Sequence, residues 1–238
     1  MNIAIICAMS EELHAVQQQI KMPLISQIEK ASNKYYKYSD EKNTVVAVIS
    51  GIGKVNAAIT TQILLDNFEI DYVLNVGVAG SISKVLSFGD VVVAKDLVQH
   101  DFDITTFGYQ LGQIARLDTF SFQADQWLSD LLLDGLTSEK GLKNQNISYG
   151  RIVSGDQFIN DAEKAEFLYE EFNAIACEME GAAVAHVCYL NKKPFAVVRA
   201  LSDMAGQASD DASRSFERLK IMAADCAALA IKQLLERI

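Results

Sequence analysis

Short runs of consecutive apolar, largely β-branched residues punctuate the chain at Ile3–Cys7, Thr44–Ile49, Tyr72–Val76, Val91–Ala94, Arg151–Val153, Ala174–Cys177 and Phe195–Leu201. These runs are continuous rather than alternating, so each predicts a strand covered on both faces, as in a sheet held between helices. Helical periodicity fills several of the gaps. Glu11–Ile20 sets Leu13, Val16 and Ile20 on one stripe behind Ser10 as a candidate N-cap, and Val55–Leu65 repeats Val55, Ile59 and Ile63. Gly181–Leu190 and Phe216–Leu235 follow the same pattern. Strands alternating with helices predict an α/β fold with a largely parallel sheet. No internal repeat or low-complexity linker divides the 238 residues, which read as one domain, 1–238.

One stretch fits neither period. Gln99–Phe122 holds Phe102, Phe107, Tyr109, Phe120 and Phe122. A loop of that length inside a domain points to a functional segment or a subunit interface, and an unrecognised β element is the alternative.

Composition narrows the class. Half the residues are apolar, 22% are charged and only two are proline, which excludes disordered and collagen-like chains. A net charge of −10 repels polyanions, so neither nucleic acid nor an anionic membrane is an expected partner. Cys7, Cys177, Cys188 and Cys226 lie far apart in apolar runs, as buried thiols of a reducing compartment do. His14, His100 and His186 form no ligand pattern, so no metal is expected. The opening residues lack a basic n-region and read as a first strand, and no stretch approaches the ~20 apolar residues that span a bilayer. A cytoplasmic protein is expected.

Ligands of open α/β sheets bind beyond the carboxyl ends of the strands. Beyond the predicted strands stand Ala8-Met9-Ser10-Glu11-Glu12, Ser50-Gly51-Ile52-Gly53-Lys54, Gly77-Val78-Ala79-Gly80-Ser81, Ser154 through Asn160, Glu178-Met179-Glu180 and Ser202-Asp203. Asn56 stands where a dinucleotide fingerprint needs its last glycine, and no phosphate-loop motif is present. Lys54 could meet an anion at a helix start or be solvated. Glu11 and Glu12 suit a first helical turn through the macrodipole alone, Asp203 could cap a turn, and His186 and Cys188 suit packing. What these local readings leave unexplained is Glu12, Glu178, Glu180 and Asp203 together at one rim of an acidic chain. Crowded carboxylates raise one another's pKa, which suits general acid and base chemistry.

The strings IICAMSEEL, SGIGKVNAA, NVGVAGS, HDFDITTFGYQLGQ, IVSGDQFIN, CEMEGAAVAHVC and VVRALSD occur in this order from residue 5 to residue 203. Together they resemble the nucleoside phosphorylase and nucleosidase superfamily, and within it the 5′-methylthioadenosine/S-adenosylhomocysteine nucleosidases. The resemblance implies a three-layer α/β/α domain with a central, twisted, mixed sheet. It also implies a homodimer, no cofactor, and hydrolysis of the N-glycosidic bond to release adenine and a 5-alkylthioribose. It assigns Glu12 to activating water and Asp203 to protonating adenine N7. It places Glu180 on the ribose 2′ and 3′ hydroxyls, with Met179, Met9 and Val78 around the substrate and Ser202 before the acid. Phe158 and Ile159 match the adenine contacts, and Arg199 matches an arginine near the water. Ile104, Phe107 and Ala115 match positions that reach the partner's 5′-alkylthio pocket.

The departures lie at Val78, where a small hydroxyl residue is usual, at Cys7 for glycine, at Ala115 for proline, and in a longer Gly206–Ser215 stretch. Two other readings stand beside hydrolysis of these two substrates: a phosphorylase, or a hydrolase of another adenosine-type nucleoside. A non-catalytic nucleoside sensor is the alternative from a different class. A phosphorylase would need cations around a phosphate, and the chain has arginine only at positions 116, 151, 199, 214, 218 and 237.

Overall fold

A strand buried on both faces must send alternate side chains into two apolar layers, and β1 (Asn2–Cys7) does so. Ile3, Ile5 and Cys7 join one cluster while Ala4 and Ile6 join the other. The computed structural model describes residues 1–205 and 212–238. After β1 come α1 (Ser10–Gln19), β2 (Leu24–Lys30), β3 (Asn33–Ser39), β4 (Thr44–Ile49), α2 (Lys54–Asn67), β5 (Tyr72–Ser81) and β6 (Val91–Gln99). β7 (Phe122–Gln123), α3 (Gln126–Ser138), β8 (Ile147–Ser154), α4 (Ala162–Phe172), β9 (Ala174–Glu178), α5 (Gly181–Leu190), β10 (Phe195–Met204) and α6 (Ala212–Leu235) follow.

The strands form one mixed sheet in the order β10-β6-β8-β9-β5-β1-β4-β3-β2, and β10 also pairs with β5, so part of the sheet closes on itself. Pairing is parallel for β1 with β4 and β5, for β5 with β10, and for β8 with β6 and β9. It is antiparallel at the β2–β3–β4 edge, between β10 and β6, and between β5 and β9. One face is covered by α1, α3 and α6 through Leu13, Val16, Leu132, Leu136, Ala227 and Ile231. The other is covered by α2 and α5 through Ala57, Leu64, Ala182, Val184 and Cys188. This is the three-layer arrangement expected.

Several elements depart from the sequence reading. The β2–β3 hairpin was not predicted, because β2 is an edge strand with a mostly exposed face and carries no apolar run. Its turn uses Ala31 and Ser32 at φ 48 and 63, the left-handed pair of a tight hairpin without the usual glycine signal. α3 and α4 were also unpredicted. Each has an aspartate cap: Asp125 accepts the Leu128 N–H at 2.9 Å and Asp161 the Lys164 N–H at 2.7 Å. α1 starts one residue early, so Ser10 is its first helical residue and Met9 occupies the cap position. α6 starts at Ala212, and the lengthened stretch expected at Gly206–Ser215 lies, as far as residue 211, outside the described residues. Of the Gln99–Phe122 stretch, Gln99 ends β6 and Phe122 begins β7, and between them runs a loop holding one short helical turn, Thr105–Phe107.

The change that matters for the site is in β5 and β10. Both run past their expected ends, so Gly77–Ser81 is strand rather than loop and pairs with Arg199–Met204. The register slips between Leu201 and Asp203, which makes Ser202 the extra residue of a bulge. A bulge re-aims the side chains beside it, and here the affected residue is Asp203.

Candidate active site

Glu12 sits in the first turn of α1, 3% exposed, where orphan backbone N–H groups face outward. Its Oε2 accepts from the N–H groups of Ala8 at 2.8 Å and Met9 at 2.9 Å, and its Oε1 from Val78 N–H at 2.9 Å. The carboxylate thus bridges the β1–α1 turn to β5. Gly77 makes the approach possible, since a Cβ there would overlap Glu12 Oε1. Burial raises the Glu12 pKa, against the opposing pull of Arg199 and the three N–H groups.

Glu180 stands at the N-cap position of α5, and its side chain turns away from the helix to accept the Gly53 N–H at 2.7 Å on Oε1. Gly53 has φ 97, a conformation suited to glycine, which turns its N–H toward Glu180 as α2 begins. Burial and then the neighbouring Glu178 raise the Glu180 pKa. Asp203, beyond the bulge, accepts the Ser202 hydroxyl at 2.8 Å, and burial lifts its pKa above the ordinary aspartate range.

Glu178 plays a different part from the other acids. Its Oε2 accepts Arg199 Nη2 at 2.6 Å and the N–H groups of Glu180 at 3.0 Å and Gly181 at 2.7 Å, while Oε1 accepts the Ser154 hydroxyl. Arg199 is 2% exposed and also donates to Asn75 and to the Val198 carbonyl. Removing one partner of such a buried pair strands the other charge. Arg199→Met is therefore expected to lower stability by about 3–5 kcal/mol, read as a shifted urea midpoint. An unchanged midpoint would show that the pair does not hold the fold.

Met9, Glu12, Val78, Phe158, Ile159, Met179, Glu180, Ser202 and Asp203 line one cavity of about 160 Å³, together with Glu178. The expected site residues from five separate segments are thus brought together. Arg199 does not line this cavity: its guanidinium is committed to Glu178 and Asn75 behind it. Ile104, Phe107 and Ala115 lie on the Gln99–Phe122 loop and do not line it either, and Phe107 is 78% exposed. Lys54 is not freely solvated: its Nζ meets an anion of the chain itself, the Asp101 carboxylate, and also donates to Gln99. Ile52, Gln157 and Cys177 line the cavity without having been singled out. They stand inside the quoted strings, but a string does not show which side chain faces inward.

The sequence profile described as the phosphorylase superfamily matches residues 2–236. The 5′-methylthioadenosine/S-adenosylhomocysteine nucleosidase of Bacillus pumilus is 40% identical over 235 residues, covering 98% of this chain and 99% of that protein. The Helicobacter pylori 5′-methylthioadenosine/S-adenosylhomocysteine nucleosidase bound to butyl-thio-DADMe-Immucillin-A superposes with TM-score 0.91 at 32% identity, covering 100% of this chain and 99% of that one. The futalosine hydrolase of Helicobacter pylori strain 26695 superposes with TM-score 0.90, also at 32% identity, covering 100% of this chain and 98% of that one. By fold and by likeness along its length, the chain belongs to the phosphorylase superfamily and, within it, to the 5′-methylthioadenosine/S-adenosylhomocysteine nucleosidase family.

Proposed function

We propose that this protein hydrolyses the N-glycosidic bond of 5′-methylthioadenosine and S-adenosylhomocysteine, releasing adenine and the 5-alkylthioribose. The observation that carries the reading is one cavity lined by Glu12, Glu180 and Asp203. Breaking a purine glycosidic bond leaves positive charge on the sugar and negative charge on the base. Asp203, its pKa raised by burial, holds a proton for adenine N7. Glu12, in its ionised form, takes a proton from the attacking water, and Glu180 accepts the ribose hydroxyls. Carboxylates around the cationic sugar stabilise it electrostatically. Phe158 and Ile159 take the adenine side, and Met9, Val78 and Met179 pack around the substrate.

Two features favour water over phosphate as the nucleophile. The described lining is rich in carboxylates, which repel a dianion, and the Arg199 charge is given to Glu178. Adenine release from 5′-methylthioadenosine, followed by ultraviolet absorbance or chromatography, is expected to be the same with and without phosphate. Absolute phosphate dependence with a sugar 1-phosphate product would make the protein a phosphorylase. Saturable binding without base release would make it a sensor.

The same fold in a futalosine hydrolase favours including that nucleoside with S-adenosylhomocysteine and 5′-deoxyadenosine in the substrate panel. Preferential turnover of futalosine would move the activity away from 5′-methylthioadenosine and S-adenosylhomocysteine to a different nucleoside. The protein acts as a homodimer in this reading, with Ile104, Phe107 and Ala115 reaching the partner's cavity. The exposed Phe107 supports it, and light scattering that finds only the 26.2 kDa species would reject it. Among the described residues no helix is long and apolar enough to cross a membrane. We place the protein in the cytoplasm, a reducing compartment that suits the free thiols of Cys7, Cys177, Cys188 and Cys226.

A further inference from the structure

The HDFDITTFGYQLGQ string contributes Asp101, which does not line the cavity, yet its carboxylate joins two of the segments that do. Oδ1 accepts Lys54 Nζ and Oδ2 accepts the Asp156 N–H at 2.9 Å. Asp156 in turn accepts the Lys54 N–H at 2.8 Å, which closes a ring of contacts around the first residue of α2. The residue before it, Gly53, donates the N–H that holds Glu180. The residues after Asp156 are Gln157, Phe158 and Ile159, which line the cavity. The fit between these segments is close: a Cβ on Gly155 would overlap the buried His100 ring and come within 3.1 Å of Asp101 Cγ. The Lys54 and Asp101 side chains are only 17% and 18% exposed, so solvent screens the pair weakly.

We propose that Asp101 is a positioning residue: by holding Lys54 and the Asp156 N–H on one carboxylate, it fixes the start of α2 so that the Gly53 N–H keeps Glu180 oriented toward the sugar. This rests on the assignment of Glu180 to the ribose hydroxyls. Asparagine at 101 cannot reproduce the arrangement, since it offers one acceptor oxygen where two are used and no charge for Lys54. An anchor that grips the ribose alike in the ground and transition states shows its displacement in KM more than in kcat.

The test is steady-state kinetics of Asp101→Asn, and of Lys54→Met in case the first variant folds poorly, on 5′-methylthioadenosine and its 2′-deoxy counterpart. Glu180→Gln is run beside them. Asp101→Asn is expected to raise KM for the ribose substrate about tenfold with a smaller change in kcat, and to raise KM for the deoxy substrate much less. Lys54→Met is expected to show the same split. Equal effects on the two nucleosides, or no effect, while Glu180→Gln separates them, would overturn the role of Asp101 and leave the Glu180 assignment standing. Failure of Glu180→Gln to separate the two nucleosides would remove the sugar assignment, and the role of Asp101 with it.

Discussion

Asp203→Asn is expected to lower kcat by about 10²–10⁴-fold, the usual worth of a positioned general acid. Asparagine keeps the size of the side chain and can still accept the Ser202 hydroxyl at its carbonyl, so the cavity retains its shape while the transferable proton is lost. Burial raises the Asp203 pKa, so between the unfolded and folded values the native state binds more protons than the unfolded chain. Stability then falls as pH rises through that window, and removing the charge leaves stability at neutral pH unchanged or higher. A rate collapse without loss of melting temperature is the signature of a catalytic acid. The wild-type pH profile should place Asp203 on its alkaline limb, because the acid works only while protonated. Near-normal kcat in the variant would remove Asp203 from the chemistry.

Glu12→Gln should reduce kcat by about 10²–10⁴-fold as well, for the opposite reason: a base has been removed. Its limb is the acidic one, since Glu12 must be ionised to take a proton, and burial shifts that limb above the range of an exposed glutamate. Glutamine also brings an NH₂ group to a site where all three neighbours are N–H donors, so one donor must face another. Gly77→Ala supplies a second route to the same result. Its Cβ would displace Glu12 Oε1 while leaving the carboxyl group in the chain, and a comparable loss is expected. Wild-type turnover in Glu12→Gln would exclude Glu12 as the base.

Particular elements show why parts of the fold were legible. Thr44–Ile49 and Gly181–Leu190 were bounded correctly, because each is a largely apolar stretch flanked by polar or turn-forming residues, Asn43 and Ser50 for the strand and Glu180 and Asn191 for the helix. α3 was missed although Leu128, Leu132 and Leu136 lie at helical spacing behind the Asp125 cap, so the signal was present. The β2–β3 hairpin carried no such signal, because an edge strand half in water needs no apolar pattern. Within the site, the strings flagged acids at strand ends but could not separate their parts. Glu178 and Glu180 are two residues apart and both line the cavity, yet one carboxylate is bound by Arg199 and the other by the Gly53 N–H.

By itself the sequence determined the layered α/β class, the strand ends where chemistry would gather, and the acids available for it. Periodicity and residue type act over a few neighbouring positions, and those features are local. The tertiary structure decided which groups meet: Gly53 with Glu180 across 127 residues, and Gly77 beneath Glu12. It also placed Ser202 in a bulge opposite β5. Each of these depends on how a partly closed sheet sets the register between strands distant in sequence, and register is a property of paired strands rather than of either strand alone.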